Sequence, residues 1–194
     1  MKKLLLFFVI APILTLAQSG PFEEDGVYVF GPSVSVNASA DGKTGYDFGL
    51  AGEYLLGGHF TLLNGVGYSK RNFSPTSEVS LKSVKVPLSL NYYTDWDTDC
   101  IPIFGITLNA GLQLNLFNEV KMETGAADTK QELKKTSFDG VFGVGYRTRH
   151  LSFYIQKTLG LNQDTFKDYG IENDYWSFGV TYFFKDLKKS PQSN

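Results

Sequence analysis

Few residues of this 194-residue chain could do chemistry of their own. The only histidines, His59 and His150, are the candidates for a general base or for half of a nucleophilic pair. Both fall in short turns between predicted strands, apart from the longer loops that could surround a substrate. We therefore predict that the protein is not an enzyme. The alternative, a lipid hydrolase, requires one of these histidines to be essential.

A second candidate is the segment DWDTDC at 95–100. Asp95, Asp97 and Asp99 are spaced like the start of a calcium loop, but the glycine and the distal glutamate that complete such a loop are missing. We interpret the segment as a solvated turn and predict neither a metal nor a cofactor. Cys100 is the only cysteine, so a mixed disulfide and inert burial both stay open for it.

The composition excludes several classes of protein. Eighteen Lys and Arg stand against 20 Asp and Glu, so no basic excess exists to hold a phosphate backbone, and we expect no nucleic acid partner. A hydrophobic content of 42% excludes a disordered tail, and the single cysteine excludes a disulfide scaffold. We expect one domain.

The N-terminus has the form of an export signal. Lys2 and Lys3 precede an apolar run at 4–16 that ends in small residues, which predicts a signal peptide at 1–17. The run is shorter than the roughly 20 residues of a spanning helix. We predict a mature domain at 18–184 and a short tail at 185–194.

Beyond the signal, the hydrophobic pattern has period two, which predicts an all-β fold. The alternation indicates eight strands, each about as long as a tilted strand that crosses a bilayer. They are 27–38, 45–56, 59–71, 83–94, 102–117, 137–148, 151–161 and 174–184.

The two faces of these strands differ in chemistry. One face is aliphatic and aromatic, with Lys157 as the only charge inside the strands, whereas the other is rich in Gly, Ser, Asn and charge. Such a polar face cannot form a dry core, so we expect it to line a lumen while the apolar face contacts lipid. Because backbone groups must be paired in hydrocarbon, the strands should close into an eight-stranded antiparallel up-and-down transmembrane β-barrel. A soluble lipocalin-like barrel, with its apolar face inward, is the alternative.

The connections and the aromatic residues predict the placement of that barrel in an outer membrane. We expect periplasmic turns at 57–58, 95–101 and 148–150, and surface loops at 39–44, 72–82, 118–136 and 162–173. The charged loop 118–136 is the best candidate to contact a partner, a host surface or lipopolysaccharide, although an unengaged loop is equally compatible with the sequence. The predicted aromatic girdle is Tyr54, Phe60, Tyr92, Tyr146, Tyr182 and Phe184 on the periplasmic side, and Tyr46, Tyr68, Tyr175 and Trp176 on the outer side.

Charged residues on the lumen face form two groups. The group toward the surface is Asp47, Arg71, Lys85 and Asp139, and the group toward the periplasm is Glu53 and Arg147. Each group is neutral, which favours ion pairs that fill a lumen only wide enough for side chains. A polar gate, and with it a narrow pore for small solutes, is the alternative.

Several motifs resemble those of the PorT-like outer-membrane β-barrel proteins of Bacteroidota, which are similar to the OmpA-type membrane domain. They are GVGYSKR at 65–71, VKVPLSLNYY at 84–93 with its proline Pro87, FDGVFGVGYR at 138–147, TLGLN at 158–162 and FGVTYFF at 178–184. The resemblance implies a non-enzymatic envelope protein, tied in the family's namesake to type IX secretion. We expect a monomer whose partners are outer-membrane lipid, lipopolysaccharide and envelope or secretion proteins.

Overall fold

The computed structural model describes residues 28–39, 44–57, 59–73, 78–94, 105–124, 127–131, 136–161 and 174–184, and the statements below concern those residues. The predicted signal peptide at 1–17, the tail at 185–194, the DWDTDC segment and the predicted loop 162–173 lie outside them. Within these ranges, no helix is long and apolar enough to span a membrane.

The described residues form nine strands. They are β1 (Tyr28–Ala38), β2 (Thr44–Gly57), β3 (Phe60–Phe73), β4 (Glu78–Tyr93), β5 (Gly105–Thr124), β6 (Ala127–Gln131), β7 (Ser137–Arg147), β8 (Leu151–Gly160) and β9 (Tyr175–Tyr182).

The strands close into a barrel of eight positions. Each strand pairs antiparallel with its neighbours, β1 pairs with β9, and the β4–β5 pairing completes the ring. β6 and β7 occupy a single position, because both pair with the same edge of β5, one above the other. The predicted eight-stranded antiparallel barrel is confirmed.

We call the two ends of the barrel upper and lower. The lower end holds the first described residue, Tyr28, and the last, Phe184, together with the turns that contain His59 and His150. The upper end holds the β5–β6 hairpin, which extends past the point where β7 begins. The backbone N–H of Phe184 donates to the carbonyl of Phe30 at 3.1 Å and extends the β1–β9 seam at the lower end.

Side chains alternate between an apolar exterior and a polar interior, as the period of two requires. Large apolar side chains stand on the outside with about half of their surface exposed, as at Leu50 (55%) and Val36 (60%). Most buried side chains are Ser, Thr, Asn, Gln or charged residues. This is the reverse of a water-soluble barrel, whose apolar residues fill the interior.

Two predicted loops were wrong in extent. The predicted loop 72–82 shrinks to 74–77, because β3 continues to Phe73 and β4 begins at Glu78. The predicted loop 118–136 is mostly a hairpin, in which the backbone of residues 120–124 pairs with that of residues 127–131. Antiparallel pairing needs only backbone groups, so polar side chains do not stop it.

A β-bulge explains why the alternation did not reveal the extension of β5 into the hairpin. The β4–β5 register shifts by one residue between Lys82 and Val84, so the inward and outward positions exchange on the β5 side. β5 is described from Gly105, and its predicted start at 102 lies outside the described residues. Gly105 has φ 118°, a backbone conformation that a residue with a side chain rarely adopts.

Candidate functional site

The lumen is the candidate functional site, and its upper part contains an ion pair. Lys85 on β4 donates from Nζ to Asp47 Oδ2 on β2 at 2.6 Å and to the Tyr175 hydroxyl on β9 at 2.9 Å. Ser35 and Asn37 on β1 also donate to the Asp47 carboxylate, at 3.0 and 2.8 Å. The buried charges of Asp47 and Lys85 therefore have both a counter-charge and hydrogen bonds, the condition under which ions are tolerated away from water.

Asp139 and Arg71, the other two members of the predicted upper group, lie in the same layer. Asp139 Oδ2 accepts hydrogen bonds from Asn115 Nδ2 at 2.7 Å and from Gln113 Nε2 at 3.1 Å. The Arg71 guanidinium lies over the Tyr175 ring, 4.4 Å from its centroid, in a cation–π contact. Tyr175 thus contacts both Arg71 and Lys85, whose Nζ is 4.9 Å from the same centroid.

The predicted lower pair forms a second layer, centred on Glu53. Arg147 Nη1 donates to Glu53 Oε2 at 2.7 Å, and each side chain is 1% exposed. The other oxygen, Glu53 Oε1, accepts hydrogen bonds from Tyr93 (2.5 Å), Thr61 (2.6 Å) and Asn91 (3.1 Å). Four side chains from β3, β4 and β7 thus converge on one carboxylate of β2.

Apolar side chains close the barrel around this pair. Tyr93 and Phe183 are buried in one cluster with Val29 and Leu55, and Leu63 packs against that cluster. The Arg147 guanidinium lies 3.8 Å from the centroid of the Phe183 ring. We call the set of Val29, Glu53, Leu55, Tyr93, Arg147 and Phe183 the lower seal.

A cavity of about 120 Å³ lies between the upper layer and the lower seal. Its lining mixes apolar side chains such as Leu63 and Phe183 with hydroxyl and amide side chains such as Ser33, Asn109 and Gln156. One water needs a void of roughly 10–15 Å³, so the cavity has room for several waters. It lies inside the barrel, with the Asp47–Lys85 pair above it and the Glu53–Arg147 pair below it.

The residues of the predicted girdle lie on the outer face, with one exception. Phe60 contacts Tyr92 and Tyr182 contacts Phe184 at the lower end, and Phe48 contacts Tyr68 at the upper end, with ring centroids 5.3 to 5.8 Å apart. On the same outer face, Tyr46, Tyr146 and Trp176 are exposed, and Tyr54 is partly exposed. The exception is Tyr175, which points into the lumen and is 3% exposed, so its predicted place in the girdle was wrong.

Lys157 lies on the outer face, as the sequence predicted. It pairs in register with Trp176 near the upper end, and its Nζ lies 5.6 Å from the centroid of the indole ring. The long aliphatic stem of a lysine at such a place can run along apolar surface while the ammonium reaches toward the water interface. Pro87 lines the lumen cavity.

The sequence reasoning missed four aromatic residues that fill the lumen. They are Tyr93, Tyr154, Tyr175 and Phe183. Tyr154 fits because its neighbour across the strands is Gly179, where an added Cβ would lie 2.3 Å from the tyrosine ring. The period-two alternation could have revealed them, because each of the four stands next to outward-facing residues of its own strand and must therefore point inward.

His59 and His150 lie in the lower turns, as predicted. Each ring makes a hydrogen bond from Nδ1 to a backbone carbonyl, of Tyr93 at 3.0 Å and of Phe183 at 3.1 Å respectively. In the described ranges, no group of three or more His, Cys, Asp or Glu could hold a metal ion. The predicted absence of enzymatic activity stays a prediction.

Fold and lumen together define a class: a closed eight-stranded barrel with an apolar exterior and an interior filled by paired polar side chains. Among solved structures, the chain is similar to the attachment invasion locus protein Ail of Yersinia pestis, with 12% identity and a TM-score of 0.46 over 81% of this chain and 96% of that one. It is also similar to Neisserial surface protein A, with 20% identity and a TM-score of 0.43 over 81% and 97%.

A third similar structure is the N-terminal β-barrel domain of Pseudomonas aeruginosa OprF, with 15% identity and a TM-score of 0.43 over 83% of this chain and 100% of that one. No protein-family model matches the sequence, and no curated protein does. The resemblance to PorT-like proteins therefore stays a prediction from the motifs.

Proposed function

We propose that this chain is an exported, monomeric, non-enzymatic outer-membrane protein whose closed barrel anchors surface segments that engage other envelope components. The observation that carries the proposal is the inverted polarity of the barrel. A continuous belt of half-exposed Leu, Val, Ile and Phe is far larger than the apolar patches that water-soluble proteins expose, whereas lipid solvates such a belt.

The barrel is a closed anchor and does not conduct. The Glu53–Arg147 pair and the aromatic rings around it fill the lower end of the lumen. A buried pair whose oxygens accept further hydrogen bonds has little tendency to separate, because separation leaves each charge uncompensated. The narrow pore is the second candidate, and the lumen cavity of about 120 Å³ is the observation in its favour.

The engaging surface is the upper end, which would face the outside of the cell. The β5–β6 hairpin stands above the main ring and carries the charged segment that the sequence selected as a contact region. Lipopolysaccharide and proteins of the envelope are the partners we propose. An accessory role in type IX-like secretion is a narrower form of this proposal, supported only by the motif resemblance.

Two measurements test the proposal. Membranes of expressing cells are washed with urea and with alkaline carbonate, and we expect the protein to remain in the pellet; its release would overturn the membrane assignment. The purified protein is then placed in planar bilayers, where we expect no steady conductance of the size a general porin gives. Porin-like conductance would favour the pore over the closed anchor.

Crosslinking in intact cells tests the choice of surface. A photoreactive side chain placed at 125 or 126, at the tip of the hairpin, should capture envelope components. The same group placed in the lower turn at 149 serves as the matched control. Capture from the lower turn alone would overturn the assignment of the upper end as the engaging surface.

A further inference from the structure

The two histidine turns at the lower end repeat one set of contacts. His59 donates from Nδ1 to the carbonyl of Tyr93, its own carbonyl accepts from the Tyr93 backbone N–H at 2.9 Å, and its ring lies 5.6 Å from the Tyr92 ring. His150 makes the same three contacts: with the carbonyl of Phe183, with the Phe183 backbone N–H at 2.7 Å, and with the Tyr182 ring at 5.8 Å.

The two sets are related by half a turn of the barrel. The β2–β3 turn and the β7–β8 turn lie four positions apart in a ring of eight, and so do the ends of β4 and β9 that they contact. Glu53 on β2 and Arg147 on β7 lie on strands that are also four positions apart. Their side chains meet across the barrel axis, where they form the ion pair of the lower seal.

Each histidine contacts the backbone of a residue that forms the seal. The Tyr93 hydroxyl donates to Glu53, and the Phe183 ring lies against the Arg147 guanidinium. Both aromatic residues stand at or just beyond a strand end, where ladder hydrogen bonds run out and a strand tends to fray. A hydrogen bond from the neighbouring turn at that point fixes the direction in which the inward ring projects.

We propose that His59 and His150 are a matched pair of positioning residues that hold Tyr93 and Phe183 across the lower mouth and so keep the lumen closed to ions. The inference rests on the proposed closed anchor. It assigns a structural task to both histidines of the chain. The proposed non-enzymatic function gives them no catalytic task. Histidine suits this task because its ring both donates to a carbonyl and stacks on an outward tyrosine.

The test separates the hydrogen bond from the ring contact. In His59→Asn/His150→Asn, the amide nitrogen stands as many bonds from the backbone as Nδ1 and can keep the donor. In His59→Phe/His150→Phe, the ring remains and the donor is lost. Refolded full-length protein is reconstituted into vesicles of phosphatidylcholine and phosphatidylglycerol, and the release of potassium ions is measured.

We expect the double Phe variant and the double Ala variant to release potassium faster than the unchanged protein, and the double Asn variant to stay closed. Each lost donor should raise the open population roughly fivefold, the factor that corresponds to one ordinary hydrogen bond. The His59–Tyr93 and His150–Phe183 contacts, which we call the two clamps, lie on opposite sides of the barrel. The two factors should therefore multiply to roughly 25-fold. Thr44→Ala, at the exposed upper rim, is the control and should behave like the unchanged protein.

The outcomes distinguish the two proposals. Fast release by the unchanged protein would overturn the closed anchor and the clamps together. Slow release by the unchanged protein and equally slow release by a folded double Phe variant would overturn the clamps alone. Folding is checked by the shift in gel mobility between heated and unheated samples. If the Ala variant does not refold, the Phe variant, which keeps the ring volume, decides.

Discussion

Glu53 shows how single residues make a charge acceptable inside this barrel. Its carboxylate is buried, yet it accepts hydrogen bonds from Arg147, Tyr93, Thr61 and Asn91. The donors come from three other strands, with Tyr93 and Asn91 both on β4, so the carboxylate links β2 to β3, β4 and β7. Removal of one charge of such a pair is costly, because the remaining charge has no partner and little water.

Arg147→Met tests this account of the lower pair. We expect the free energy of unfolding, measured by urea titration in lipid vesicles, to fall by about 3–5 kcal/mol, the usual cost of an uncompensated buried charge. The double variant Arg147→Met/Glu53→Gln removes both charges and should recover much of that loss. Equal destabilisation of the single and the double variant would show that packing, and not the orphaned charge, causes the loss.

Among the elements, the β5–β6 hairpin differs from the rest of the sheet. Among the described strands, β6 pairs only with β5, and the ring is completed below it by the β5–β7 and β4–β5 pairings. The β5 half of the hairpin also pairs with β4, from Leu81↔Val120 to Glu78↔Glu123, but these four pairs lie above the pairings that close the ring. An element of this kind can vary in sequence while the anchor below it stays folded.

Replacement of residues 120–131 by Asn-Gly should accordingly leave a folded barrel. The shorter connection itself should change the free energy of unfolding by about 1 kcal/mol or less, because closure entropy depends only logarithmically on loop length. The loss of the four β4–β5 pairs above the ring should lower it further without preventing closure. Crosslinking to envelope partners should be lost in the same variant. An epitope inserted between 125 and 126 of the unchanged chain controls for disturbance of the loop, and failure of the shortened chain to fold would contradict the prediction.

For the whole molecule, the decisive property is that its apolar side chains face outward. Leu50 lies on the outer face near the middle of β2, and 55% of it is exposed. In a bilayer, Leu50→Lys should cost about 2–4 kcal/mol of unfolding free energy, as expected for a lysine near the midplane. Thr44→Lys, on the same strand at the upper rim, is the matched control and should cost about 0–1 kcal/mol.

A water-soluble barrel would give the opposite result for Leu50→Lys. An exposed leucine in water can be exchanged for lysine with a change within about 0.5 kcal/mol. The comparison of the two variants in vesicles therefore separates a lipid-facing surface from a solvent-facing one. This comparison does not depend on how the protein is extracted from cells.

The sequence by itself determined the architecture. Period-two alternation with one apolar and one polar face predicts long strands, an outward apolar belt and closure, because both side-chain direction and backbone pairing follow local rules. The same parity placed Asp47, Glu53, Lys85 and Arg147 inside the lumen. It also placed Lys157 outside, next to what proved to be Trp176.

The tertiary structure alone decided which of these residues meet. Glu53 and Arg147 are 94 residues apart, and their contact depends on the closing β4–β5 and β1–β9 pairings and on the register of every strand between. The extension of β5 beyond the bulge opposite Lys82–Val84 was decided in the same way. Local patterns fix the face on which a side chain lies, whereas the partner it finds across the lumen depends on the geometry of the closed ring.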